Sequence, residues 1–170
     1  MTPLPSILIP LQEIGAILAA LVIFRLVAGI TSPPKRRLLG AMVSIVVAVV
    51  LNVLMDIVAS RAGWWWDSSK EHSYGPMWVY VAQQLLFSGC GGLIGWRIGK
   101  KWGMAAFCGY AAVAGLVGAL RAGIVVAVSP LAQFGEGLGP RVADVVGWIA
   151  ILFIAQTVMA VIAGLRIDPE

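Results

Sequence analysis

The sequence predicts an all-α, polytopic integral membrane protein: a bundle of five transmembrane helices forming one domain over residues 1–170. Three observations lead there. Sixty per cent of the residues are hydrophobic and 12% are charged, against roughly 45–50% apolar and about 25% charged in soluble domains. Mean hydropathy is +0.93. Five apolar runs reach the length of about 20 residues that a membrane helix needs, and no stretch between them reads as a strand.

The first run, 7–30, follows Met1-Thr2-Pro3-Leu4-Pro5-Ser6, which has no basic stretch, and it carries Glu13 and Arg25. Both features argue against a cleavable signal peptide, so a permanent helix is expected. The second run, 38–58, begins after Ser32-Pro33-Pro34-Lys35. The third, 77–96, begins after the turn Tyr74-Gly75-Pro76, and the fourth, 104–128, after Gly99-Lys100-Lys101. The fifth, 142–165, follows the loop from Gly135 to Pro140. Each break is built from residues that stop helices. Small residues recur at four-residue spacing in the third run (Gly91, Gly95), continuing to Gly99, and in the fourth (Gly115, Ala119, Gly123). Such faces let helices approach closely. A hairpin between these two helices is the first expectation and a homo-oligomer seam the second. Cys90 and Cys108 lie in different runs without CxxC spacing and read as small packing residues.

The sequence pI near 9.4 does not point to nucleic acid, because the basic residues sit in short clusters between apolar runs, where they set topology. Arg25, Lys35, Arg36, Arg37, Arg97, Lys100, Lys101 and Arg166 fall on one side. Arg61, Lys70 and Arg141 fall on the other. The expected location is therefore the cell membrane, multi-pass, with the N-terminus extracytoplasmic and the C-terminus cytoplasmic. Six of the carboxylates then belong to the outer half, where function is to be sought.

Depth brings several polar residues to one level. At the helical rise, Glu13 is about 9 Å and Arg121 about 10 Å inside the outer ends of their helices. Gln83 and Gln84 lie at similar depth, Asp56 nearly ends the second run with Asn52 one turn below, and Asp144 opens the fifth. Charges inside a bilayer turn inward and pair. Two readings follow: a structural network in which Glu13, Asp56 or Asp144 neutralises Arg121, or a pocket in which one carboxylate, held dry, donates a proton. The midplane is bland apart from Ser44, Gln156 and Thr157.

The loop from Gly63 to Trp78 holds Trp64, Trp65, Trp66 and Trp78, four of seven tryptophans, and the single histidine, His72. Aromatic rings gather at membrane interfaces, which accounts for one or two of them. Three in succession, joined by Tyr80, also suit the wall of a site for a hydrophobic or cationic ligand. One histidine with scattered carboxylates lacks metal-ligand spacing, so no metal or other cofactor is expected.

Asp56-Ile57-Val58-Ala59-Ser60-Arg61-Ala62-Gly63-Trp64-Trp65-Trp66, the Tyr74-Gly75-Pro76 turn and Val81-Ala82-Gln83-Gln84-Leu85-Leu86-Phe87 resemble the membrane carotenoid cyclases of the lycopene cyclase domain type. The resemblance covers about thirty residues. It implies acid-initiated cyclisation or isomerisation of an isoprenoid. The paired glutamates of that family's motif correspond to Gln83 and Gln84, which hold no acidic proton, so the acid is sought among Glu13, Asp56 and Asp144. Trp64, Trp65, Trp66, Trp78 and Tyr80 would form the wall, with Gln83, Gln84 and Arg121 as orienting groups. The expected partners are membrane lipid and a hydrophobic small-molecule substrate. The alternative is a non-enzymatic small transporter or a subunit of a membrane complex, for which broken helices and midplane polar groups would speak.

The basic asymmetry predicts that a cysteine placed at Ser69 reacts with a membrane-impermeant reagent in intact cells, whereas one placed at Lys35 does not. The opposite labelling pattern would invert the topology.

Overall fold

The computed structural model describes residues 34–67, 77–128 and 132–165, together with Ile14, Leu18 and Val22, which are helical and exposed. The rest of the first predicted helix, including Glu13, lies outside the described residues. Four helices are long and apolar enough to cross a membrane. They are α1 (Lys35–Arg61), α2 (Met77–Trp102), α3 (Met104–Val128) and α4 (Gly139–Ile162).

The helices exceed the apolar runs where polar ends continue the turn. α1 starts at Lys35, directly after Pro34, and α4 starts at Gly139 with Pro140 in its first turn, where a missing N–H has no consequence. α2 and α3 are separated by Gly103 alone, at φ +86°, a backbone conformation that favours glycine.

Two short strands correct the expectation that none is present. β1 (Trp65–Asp67) and β2 (Ala132–Phe134) pair antiparallel, Trp65 opposite Phe134 and Trp66 opposite Gln133. The ribbon is anchored by the Gly135 N–H, which donates to the Trp64 carbonyl at 2.6 Å. A Cβ at Gly135 would stand 2.5 Å from the Gly63 carbonyl oxygen, so only glycine permits this approach. Strands of three residues carry too little alternation to be read locally, and their pairing joins segments far apart in the chain.

The bundle has an aliphatic exterior and a small, partly polar interior. Along α1, Met42, Val46, Val50, Leu54 and Val58 are exposed, whereas Ala41, Ser44, Ala48, Asn52 and Ala59 are buried. This reverses the distribution of a water-soluble helix, which buries its large aliphatics. α4 packs on α1, α2 and α3 and buries Trp148, Ile151, Leu152, Ala155 and Met159.

The small residues serve more than the expected hairpin. Gly95 and Gly99 do face α3, against Tyr110 and Phe107. Gly115 and Gly118 instead face α4. A Cβ at Gly115 would approach the Ile149 backbone at 2.5 Å, and one at Gly118 would enter the Trp148 ring. Gly123 meets nothing within 4 Å.

The middle of the bundle adds Gln84 and Ser88 to the Ser44 and Gln156 expected there. α2 opens into a π-helical turn over Leu85–Cys90, which diverts carbonyls from the regular ladder. Gln156 Nε2 donates to the Phe87 carbonyl at 3.0 Å, and the Ser44 hydroxyl lies 3.2 Å from the Ser88 backbone carbonyl oxygen. The Ser88 hydroxyl donates to Gln84 Oε1 at 2.9 Å. α1, α2 and α4 are thus joined by a polar cluster inside the bundle.

Gly118→Ala is expected to lower stability by about 1–3 kcal/mol, because the added methyl overpacks against Trp148. Gly123→Ala should leave stability unchanged or raise it, since helix propensity improves and nothing is displaced. Thermal unfolding of both variants in detergent checks the pair.

Candidate functional site

At the tryptophan end of the bundle, every described helix and both strands contribute to one cavity of about 230 Å³. α1 supplies Asn52, Met55, Asp56 and Ser60. α2 supplies Val79, Tyr80 and Gln83, and α3 supplies Arg121, Ala122, Val125 and Val126. α4 supplies Asp144 and Trp148. The strand ribbon adds Trp65, Trp66, Gln133 and Phe134.

Asp56 is a clamp. Its Oδ1 accepts the Trp65 indole N–H at 2.6 Å, and its Oδ2 accepts the Tyr80 hydroxyl. One carboxylate therefore ties α1 to β1 and α2, with both oxygens engaged by donors. The Trp65 ring in turn meets Phe134 edge-on, 6.0 Å between centroids and 89° between planes. The clamp thus extends across the ribbon.

Asp144 is the more deeply placed carboxyl, 7% exposed. Trp148, one turn further along α4, donates a hydrogen bond to it. The Trp148 ring lies edge-on to Phe87 at 5.6 Å and against Gly118, so its orientation is set by packing on two helices. Arg121 lines the same cavity as Asp56 and Asp144. Two carboxyls, one guanidinium, an amide from Gln83 and the rings of Trp65, Trp66, Tyr80 and Trp148 therefore face a common, largely apolar space.

Of the residues singled out in the sequence, Asp56, Asp144, Trp65, Trp66, Tyr80, Gln83 and Arg121 line this cavity. Trp64 and Trp78 are exposed at its outside, 38% and 44%, and Gln84 is fully buried in the π-turn cluster instead. Consecutive glutamines on a helix point in different directions, which separates Gln83 from Gln84. Glu13, His72 and Tyr74 lie outside the described residues. Trp148, Phe134 and Gln133 carried no signal strong enough to be singled out. The four-residue spacing of Asp144 and Trp148 was the only hint of the first, and β pairing alone brings in the other two. Among the described residues, no group of three or more His, Cys, Asp or Glu is arranged to hold a metal ion.

Comparison of the chain with family models, with curated proteins and with solved structures finds no match.

Removing the Tyr80 hydroxyl deprives a carboxylate of a partly buried donor, and bonds of this kind to charged groups contribute about 1.5–3 kcal/mol. Tyr80→Phe should accordingly lower the unfolding temperature in detergent. In an Asp56→Ala background the same change should cost less than about 0.5 kcal/mol, because the coupled partner is gone. Equal losses in both backgrounds would mean that the hydroxyl acts elsewhere.

Proposed function

We propose that the chain is an integral-membrane enzyme that receives one end of a hydrophobic, isoprenoid-like molecule in this cavity and cyclises or isomerises it by acid catalysis. The observation that carries the reading is the convergence of Asp56, Asp144 and Arg121 with five aromatic residues on one apolar space. The tryptophan end faces the extracytoplasmic side in this reading, following the distribution of basic residues.

The cavity volume of about 230 Å³ lies below the roughly 300–1,000 Å³ usual for whole drug-sized ligands. It suits the terminal portion of a long chain whose remainder stays among lipid tails. We assign the acid to Asp144, because both oxygens of Asp56 are already engaged. The Asp144 carboxyl proton would add to a terminal alkene carbon or an epoxide oxygen. The resulting carbocation would be attacked by a neighbouring double bond, and a proton leaving the adjacent carbon would return to the carboxylate. Atoms balance without an oxidant, reductant or cofactor. The faces of Trp65, Trp66 and Trp148 would shelter the cation, each such contact contributing about 0.5–2 kcal/mol according to desolvation. Asp56 supplies fixed negative charge nearby, while Arg121 and Gln83 orient the substrate.

A second reading, a small transporter, is favoured by the π-turn at Leu85–Cys90 and the polar cluster of Ser44, Gln84, Ser88 and Gln156. Interrupted helices with polar groups at mid-membrane are what transport sites use.

Membranes containing the protein, supplied with linear and epoxidised isoprenoids, should yield a cyclised or isomerised product. Asp144→Asn should lower conversion by roughly 10²-fold or more, the contribution of a general acid, with the unfolding temperature kept near wild type. Trp65→Ala should lower turnover or alter the product mixture. Full activity of Asp144→Asn would refute the acid assignment. Absence of conversion with every isoprenoid, together with uptake of solute into proteoliposomes, would favour the transporter.

A further inference from the structure

Among the described residues, the end of the bundle opposite the cavity carries cations and no carboxylate. Lys35, Arg36 and Arg37 open α1, and Arg97, Lys100 and Lys101 lie in the last turns of α2. The described acidic positions, Asp56, Asp67, Glu136 and Asp144, all belong to the tryptophan end, and Arg166, Asp168 and Glu170 lie outside the described residues.

The two basic clusters are held together by packing. The Arg37 guanidinium sits 4.3 Å from the centroid of Trp96, and Ala41 and Leu93 share the buried cluster that Trp96 flanks. Lys100 is one helical turn beyond Trp96 and so projects from the same face. Lys101 lies 4.7 Å over the ring of Trp102, which is 62% exposed. α1 also begins without a side-chain cap and with no acid in its first turn, so its leading N–H groups add to the positive potential. Six cations on the ends of two helices packed against each other favour an anion.

The same place presents apolar surface. Leu38, Leu39 and Met42 are exposed immediately beside Arg36 and Arg37, and Ile94 is exposed beside Arg97. An inorganic ion would answer the charge and leave these side chains uncovered. A ligand bearing a phosphate on acyl chains answers both, and basic pockets between membrane helices take such headgroups.

We propose that the surface where the start of α1 meets the end of α2 binds the headgroup of an anionic phospholipid. The phosphate lies between Arg37 and Lys100, the acyl chains run over Leu38, Leu39 and Met42, and Trp102 stands at headgroup depth. Arginine suits the phosphate because its planar guanidinium donates two parallel hydrogen bonds. The inference rests on the membrane reading of the chain and is independent of the cyclase chemistry.

The test uses the full chain in mixed bilayer nanodiscs of phosphatidylglycerol and phosphatidylcholine, with retained lipids counted by native mass spectrometry after release. Wild type should retain phosphatidylglycerol in preference. Lys100→Gln with Lys101→Gln should lower that preference by about fivefold per charge removed. Arg37→Gln should do the same, whereas Arg61→Gln with Arg141→Gln at the opposite end should leave it unchanged. Equal retention of the two lipids overturns the proposal, as does an equal fall in the opposite-end variant. Displacement of the lipid by millimolar inorganic phosphate would mean a bare anion site and overturns it too. Alkaline carbonate extraction separates the two levels of inference. Release from membranes ends the membrane reading itself, while firm retention without lipid preference ends this proposal alone.

Discussion

A polar atom inside a bundle with an aliphatic exterior has little water to turn to, and its partner must come from its own helix or from a neighbouring element; among the described residues Gln84 Nε2, Trp96 Nε1, Gln156 Oε1 and Thr157 Oγ1 are left without one. Leaving such an atom unpaired costs about 1–3 kcal/mol, more for a charge. Much of the architecture follows from meeting that constraint. Asp56 is met by Trp65 and Tyr80, Asp144 by Trp148, Gln156 by the Phe87 carbonyl and Gln84 by Ser88. Each of these links except the Asp144–Trp148 and Gln84–Ser88 turns joins two separate elements. The pairing requirement therefore also orients the helices about their axes. Apolar contacts among aliphatic chains would do this weakly, since hydrocarbon surroundings offer the same contacts.

Small residues make the pairing geometrically feasible. Gly115 and Gly118 bring α3 against α4 closely enough for the Trp148 ring to be caught between Phe87 and α3. A ring so held presents its N–H to Asp144. Local packing thereby becomes site chemistry: the orientation of a carboxyl in the cavity depends on the absence of a side chain at Gly118. The π-turn works by the same logic at mid-bundle, since its diverted carbonyls at Phe87 and Ser88 accept from α4 and α1. Two polar centres result, one open in the cavity and one enclosed.

The two ends of the bundle are chemically distinct. One has carboxyls and aromatic rings around a space, with a ribbon of two strands over it. The other has, among the described residues, six cations near the half-buried Trp96, the exposed Trp102 and exposed aliphatic side chains. We propose the first as the end that would receive a hydrophobic ligand and the second as the end that would meet headgroups of the opposite leaflet. Such separation is what a chain sorted by the charge of its loops acquires during insertion.

The helical class, the four long apolar helices from Lys35 onward and most of the cavity's polar residues were legible in the sequence, because hydropathy is a sum over neighbours and depth follows from counting along a helix. Asp56, Asp144, Arg121 and Gln83 could be assigned to one level in this way. Which of them share a face could not. Gln83 and Gln84 are adjacent in sequence and similar in depth, yet one lines the cavity and the other is sealed in the π-turn, since rotation about the helix axis is decided by packing partners. The ribbon of Trp65–Asp67 and Ala132–Phe134 was invisible for a related reason: three residues hold no usable period, and the pairing depends on where α1 ends and α4 begins. Composition and periodicity are local quantities and determined the elements. The site is a relation among six of those elements, and only their tertiary arrangement decided that the Asp144–Trp148 turn, Phe134 and Trp65 would line one space.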